Sequence, residues 1–380
     1  MKIAHVAVNF PPHIGGIGEV CFSEAHGLAL RGHDVTVFSL RQGPESRSTT
    51  PLSKVKTVFL RPLIQGGDAG LVPQLFWRLH GFDIVHLHYP FYGGAEWVWL
   101  SSVVRGTKYV ATYHMDAQPD ELWKKPFKRL YDPVFAKPIL RNAEKVIIVG
   151  EEFLQETEQK NALDHKKIAI LPNAVDTEVF YPTHTYDYES LGLDRWRDKD
   201  VILFVGNLMP LKRLDIVLRS LERLPSRAGV IVVGGGYDME RYKKMATDLN
   251  MSARVLFVGP CYNQRKLAQY YNIASVVVVP SDYESFSLVT VEAQASGTIV
   301  VASAIPALQS KITDGVDGFL FKPGSVDSLA EKITEALSLT DAQKRGIEKA
   351  ARQRVQKQFA LEPHFEKLEK IYAEALAAKT

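Results

Sequence analysis

Two successive series of short apolar runs, each alternating with helical-period segments, constrain this chain more than any other feature. In the first series the runs predict strands at Ile3–Asn9, Val35–Ser39, Val58–Leu60, Ile84–His88, Tyr109–Tyr113, Val146–Val149 and Ile168–Leu171. They are brief and apolar at consecutive positions, as parallel strands covered on both faces require. The rhythm lapses between Pro172 and Asp200, where Pro172, Pro182 and the polar stretch 183–190 show no period. It restarts at Val201–Val205 and continues with strands expected at Val230–Val233, Val255–Val258, Val276–Val279, Ile299–Ala302 and Phe319–Phe321. The expectation is an α/β chain of two Rossmann-like, doubly wound parallel-sheet domains. They cover 1–175 and 201–358, with a linker at 176–200. Two closing helices follow, packing across the domains, with the segment 359–380 returning to the first domain. At 380 residues the chain can bury two cores.

Composition narrows the partners. A net charge of +3 is too small for nucleic acid to be the default ligand. The two cysteines, Cys21 and Cys261, build neither a disulfide framework nor a cysteine-rich metal site, which suits a reducing cytoplasm. The N-terminus runs straight into a strand pattern rather than a signal peptide, and no apolar run is long enough for a membrane span. Membrane contact, at the inner face, is expected to be peripheral. Its candidate is the segment 121–145, with seven Lys/Arg against three acids and the interleaved apolar residues Trp123, Phe127, Leu130 and Tyr131. One reading lays this segment on anionic lipid; the other turns its aromatic residues into the core.

Open α/β sheets bind ligands beyond the carboxyl ends of their strands, so two facing sheets put the expected site in the cleft between them. Four motifs sit at strand ends. Pro280-Ser281-Asp282-Tyr283-Glu284-Ser285-Phe286-Ser287-Leu288, continuing to Glu292, leads from a strand into a helix, whose first amides suit a diphosphate. Glu284 and Glu292 would stand about 12 Å apart along a helix, too far for a glycosidase acid/base pair. They fit better as two hydroxyl acceptors flanking the diphosphate, or as helix-start glutamates favoured by the dipole. Gly206-Asn207, followed by Lys212-Arg213, places a cation where a diphosphate would leave, unless the pair is merely a surface one. Gly15 and Gly16 allow close backbone approach to phosphate or sugar, although a plain tight turn explains them equally. They do not form a dinucleotide fingerprint. His114 ends Ala111-Thr112-Tyr113 and reads either as a sugar contact or as a residue satisfied within the fold. A His88/His114/Asp116 metal set matches no standard ligand spacing. Asp187-Tyr-Glu189 and Asp198-Lys-Asp200 precede a strand instead of ending one, so neither a metal nor another cofactor is expected in the chemistry.

These residues resemble the retaining family 4 glycosyltransferases of the GT-B fold, and the resemblance spans nearly the whole chain. It rests on Pro11-Pro12 with Gly15-Gly16, Asp83-Ile-Val-His86-Leu-His88, Thr112-Tyr-His114, Pro172-Asn173, Gly206 with Lys212, and Glu284 with Glu292 followed by Ala295-Ser-Gly297. The resemblance implies transfer of a hexose from a nucleoside-diphosphate sugar, UDP-hexose first and GDP-mannose next, to a glycan or lipid-linked acceptor. It implies that Glu284 contacts the donor sugar, Glu292 the ribose, Lys212 the phosphates, and that His114 lies beside the sugar. Amides of Phe286, Ser287 and Leu288, beside Ser285, would hold the distal phosphate and sugar, and backbone near Cys261 and Tyr262 would meet the base. Asn207 stands where the family usually has an arginine, and Arg213 is its candidate substitute. An epimerase or hydrolase on this fold would turn the donor over without an acceptor. A non-catalytic binding protein would not turn it over at all.

Overall fold

The computed structural model describes residues 1–11, 15–41, 54–66, 69–116, 129–183 and 186–378. The chain divides into two compact units, Met1–Asn173 with Glu362–Thr380, and Ala174–Leu361.

In the first unit, strands Lys2–Ala7, Asp34–Leu40, Val55–Leu60, Ile84–Tyr89, Tyr109–Tyr113, Lys145–Ile148 and Ile168–Ile170 form a seven-stranded sheet. The pairings are all parallel, and the spatial order by position in the chain is 3-2-1-4-5-6-7. The first and fourth strands are therefore neighbours, with His5 in register with His86. Helix Gly16–Leu30 follows the first strand and stops just before Gly32, whose φ of 92° a side chain would resist. Helix Ala95–Arg105 was not legible in advance, because Trp97, Val98, Trp99, Val103 and Val104 resemble strand formers. It ends at Gly106 in the left-handed conformation, whose N–H returns to the Ser102 carbonyl.

The second unit has a six-stranded parallel sheet of Asp200–Val205, Ala228–Val233, Val255–Gly259, Val276–Val279, Val300–Ser303 and Phe319–Phe321, in order 3-2-1-4-5-6. Two Rossmann-like sheets are thus present. The segment 176–200, expected as a linker, is part of this unit. Its Phe180, Leu193 and Trp196 are buried, and Trp196 lies against Gly229, where a Cβ would meet the indole at 2.6 Å.

The two closing helices serve different units. Asp341–Gln358 opens on a capping box from Thr340 and Gln343, and it belongs to the second unit with Ile347, Ala351 and Val355 buried. Leu361–Ala377 has all but its first residue in the first unit, with Leu368, Ile371, Tyr372 and Ala375 packed into the same core as Ile3, Ala7, Leu28 and Ile84. A Cβ on Gly27 would strike the Phe365 ring, so this glycine lets the last helix lie close to helix Gly16–Leu30. Among the described residues no helix is long and apolar enough to cross a membrane.

Candidate active site

In each sheet the chain reverses direction between its first and fourth strands, and such a switch point is where an open α/β sheet leaves a crevice for ligand. Three of the four sequence motifs fall there, and the fourth, ending at His114, follows the strand beside the switch point of the first sheet.

In the second unit the switch point lies between Asp200–Val205 and Val276–Val279. After the first of these strands, Gly206 leads into a 3-10 turn, Pro210–Lys212; after the other, the chain runs Pro280–Ser287 before helix Leu288–Ala295. Four hydrogen bonds join the two loops. Asp282 N–H donates to the Leu211 carbonyl at 3.0 Å, Arg213 forks onto both Asp282 oxygens at 2.9 and 3.0 Å, and Lys212 Nζ donates to Glu284 Oε1 at 2.6 Å. The same Glu284 oxygen accepts from Ser281 Oγ at 2.7 Å. Arg213 also holds both Asp215 oxygens, at 3.0 and 3.2 Å, so two carboxylates share its charge. Its neighbours raise its pKa through the Asp215 bond first, against the effect of burial.

Glu284 stands in the loop and Glu292 within the helix. Glu292 is buried, and its Oε2 accepts from Tyr271 O–H at 2.7 Å. Burial and this carboxylate push the Tyr271 phenol well up, which keeps it a proton donor. Ser287 caps the helix with φ 75° and ψ 82°, and its Oγ is 2.9 Å from Thr290 Oγ1. Phe286 is buried, with the ammonium of buried Lys311 4.3 Å from its ring centroid.

Asn207 lies in a floor of glycine-rich loops. Gly206 N–H donates to the Val233 carbonyl, Leu208 N–H to Gly235, and Gly234 N–H to Gly259. Gly234 and Gly236 both have φ of 150°; a Cβ on Gly234 would collide with the Gly206 carbonyl, and one on Gly236 with Asn207 Oδ1 and the Leu208 carbonyl. The Gly234-Gly235-Gly236 run is not among the four motifs at strand ends, although three glycines ending a strand are a visible signal. Cys261 and Tyr262 follow strand Val255–Gly259; Tyr262 is exposed, and partial burial raises the Cys261 thiol pKa. Ser285 is half-buried, and Leu288 begins the helix.

In the first unit Gly15 caps helix Gly16–Leu30 with extended backbone, accepting Glu19 N–H at its carbonyl. Among the described residues, a Cβ on Gly16 would meet nothing and one on Gly15 only Asn9 Nδ2 at 3.5 Å. Fold packing alone therefore demands a glycine at neither position. Gly18 differs, because its Cβ would sit 3.0 Å from the Asn9 carbonyl.

His114 is buried; its N–H donates to the Tyr89 carbonyl, and its Nε2 lies 2.9 Å from His88 Nδ1. His88 Nε2 in turn lies 2.9 Å from His5 Nδ1. Burial pushes both His114 and His5 down to about 3, and burial with neighbouring imidazoles holds His86 and His88 well below the usual histidine range. Depressed this way, the rings favour the neutral form, in which the two short N···N contacts couple the tautomers of neighbouring rings and His114 offers a hydrogen bond without a charge. Asp116 faces elsewhere, accepting from Tyr113, from Thr157 Oγ1 and from Glu158 N–H. The His88/His114/Asp116 set is therefore not assembled.

Of the basic segment, 121–128 lies outside the described residues. The remainder is a π-helical turn, Asp132–Ala136, and a short helix, Lys137–Asn142, with Pro133 and Pro138 at their starts. Tyr131 is buried and bonded to Glu96, whereas Leu130 and Val134 are exposed.

The sequence matches two family models in order, Glycosyltransferase Family 4 over 14–179 and Glycosyl transferases group 1 over 194–354. A D-inositol 3-phosphate glycosyltransferase of Mycolicibacterium paratuberculosis is 30% identical over 370 residues, spanning 88% of this chain and 82% of the relative. One from Mycobacterium tuberculosis is 32% identical over 372 residues, spanning 89% and 76%. Among solved structures, sucrose-phosphate synthase of Thermosynechococcus elongatus superposes with a TM-score of 0.80 at 24% identity, over 100% of both chains. The Anabaena protein HepE, in complex with UDP-glucose, gives 0.81 at 20% identity, over 98% of this chain and 99% of that one. With relatives this similar along most of its length, and both sheets in Rossmann-like order, the chain belongs to the family 4 glycosyltransferases of GT-B fold.

Proposed function

We propose that this glycosyltransferase is a retaining hexosyltransferase, acting in the cytoplasm with a nucleoside-diphosphate sugar, UDP-hexose foremost, and a glycan or lipid-linked acceptor. The observation that carries the reading is the Lys212–Glu284 bond across the switch point of the second sheet. An ammonium has three N–H donors; one goes to Glu284, and phosphate oxygens suit the others. Glu284 then accepts a hydroxyl of the donor sugar, Glu292 a ribose hydroxyl, and the amides opening helix Leu288–Ala295 receive the distal phosphate. Amides near Phe286 and Ser287 complete that cradle, and backbone near Cys261 and Tyr262 meets the base. Gly15 and Gly16, which packing alone leaves unexplained, admit the donor's phosphate or sugar to close range. His114 contributes a neutral hydrogen bond beside the sugar.

The step needs no protein nucleophile and no metal. The C1–O bond to the diphosphate breaks, C1 bonds the acceptor oxygen on the same face, and the acceptor's proton passes to the leaving diphosphate. Lys212 and the helix amides stabilise the charge that develops there.

The test is a matrix of UDP-, GDP- and ADP-sugars against acceptors that include D-inositol 3-phosphate, the substrate named for the mycobacterial relatives. The expected result is transfer with retained anomeric configuration, lost on the order of 100-fold or more in Lys212→Ala and Glu284→Ala while the far-UV spectrum is unchanged. Full activity in either variant overturns the site. Nucleotide release that is independent of acceptor makes the chain a hydrolase or epimerase, and donor binding without turnover makes it a binding protein.

A further inference from the structure

A compact polar cluster lies inside the apolar core of the first unit, beneath helices Gly16–Leu30 and Leu361–Ala377. His5, His86 and His88 project from neighbouring strands with His5 and His86 in register, and Glu24 comes down from the helix. All four are buried, and one ligand atom from each lies within 4.8 Å of the other three. Among the described residues Glu24 Oε2 has no hydrogen-bond partner; it sits 3.4 Å from His86 Nδ1 and 3.8 Å from His88 Nε2. Four donors around an ion bound at about 2.0–2.1 Å stand roughly 3.4 Å apart in a tetrahedron; His5 Nδ1 and His88 Nε2 are 2.9 Å apart, and His86 Nδ1, 2.6 Å from the Tyr372 hydroxyl, would exchange that hydrogen bond for the ion.

We propose that His5, Glu24, His86 and His88 form a buried structural site for one divalent transition-metal ion of the Zn2+ class. Three imidazole nitrogens and a carboxylate oxygen suit zinc and its neighbours rather than magnesium or calcium. The surroundings are those of a built site. His86 Nε2 lies 2.6 Å from Thr112 Oγ1, His88 Nδ1 lies 2.9 Å from His114 Nε2, and Glu24 Oε1 lies 3.1 Å from His364 Nε2. Such outer partners orient ligating rings and carboxylates. The ion would tie the first strand, the fourth strand and the first helix together, apart from the donor chemistry of the second unit. Because the ligands are enclosed, the ion would enter during folding.

The experiment is to express the full chain in medium supplemented with Zn2+ or Co2+, dialyse it against a weak chelator, and count the metal by mass spectrometry. About one ion per chain is expected, with the ligand-field absorption of tetrahedral Co2+ and a higher melting temperature than chelator-refolded protein. Glu24→Gln and His5→Gln should lose the ion, and Thr112→Val should bind it about 10–100-fold more weakly. Wild-type protein that retains no ion, or variants that retain as much as wild type, overturn the proposal. Should Glu24→Gln not fold, X-ray absorption of the Zn2+-loaded wild type decides. A shell of nitrogen and oxygen with imidazole scattering supports the site, and a shell of water oxygen or sulfur overturns it.

Discussion

At the scale of single residues, Ser287 shows how the signature loop stores its shape. A non-glycine residue at φ 75° carries a backbone cost of about 1–3 kcal/mol, and a serine at a helix start repays part of it through its hydroxyl, here 2.9 Å from Thr290 Oγ1. Ser287→Val should therefore lower stability by about 1–3 kcal/mol, since a branched Cβ resists positive φ most. Ser287→Gly, which removes the strain and the hydroxyl together, should stay within about 1 kcal/mol of wild type. Urea unfolding of the two variants checks this; a valine variant as stable as the glycine one would mean the loop is not held in that conformation. The positions of Glu284 and Lys212 were legible because strand ends and glycine turns mark them. The partners of His114 were not. His5, His86, His88 and Glu24 meet through strand register and helix rotation, and neither is written in the local sequence.

At the scale of elements, the glycines separate into those the fold needs and those it does not. Gly234 and Gly236 let three loops cross at the ends of adjacent strands, where a Cβ would run into backbone. Gly234→Ala should cost about 1–3 kcal/mol from overpacking and more from its φ of 150°, read as a fall in the melting temperature. Gly16→Ala should leave that temperature unchanged or slightly higher, since alanine suits a helix better than glycine. Under the proposed function it should nonetheless raise the KM for the donor. A Gly16→Ala enzyme with wild-type donor kinetics would remove Gly16 from the binding loop. Gly206 and Gly16 both leave room for a Cβ, and it is the φ of 147° at Gly206 that sets the two apart. Strands were easier to read than helices for a related reason. Valine-rich strands such as Val276–Val279 declare themselves by composition, whereas helix Ala95–Arg105 uses the same residue types and is settled by its packing and its glycine cap.

At the scale of the whole molecule, the chain passes from one unit to the other and returns. Helix Leu361–Ala377 carries Leu368, fully buried among residues of the first strands and helix, so the first unit needs chain from both sides of the second. Sequence periodicity exposed the apolar stripe of this helix and the break near Pro172, which together outline two cores. It could not show that 176–200 would be held to the second unit by Phe180, Leu193 and Trp196, because polar, aperiodic chain looks the same whether or not its few apolar residues find a core. Leu368→Ala should cost about 2–5 kcal/mol, and the cost should fall on the first unit. Hydrogen exchange read by mass spectrometry should show faster exchange in strands Lys2–Ala7 and Asp34–Leu40, with Asp200–Val205 unchanged. Val355→Ala, in the helix that closes the second core, should give the reverse pattern. If either variant accelerates exchange equally in both sheets, the two cores unfold as one cooperative body, and the division at Asn173 and Glu362 is geometric without being energetic.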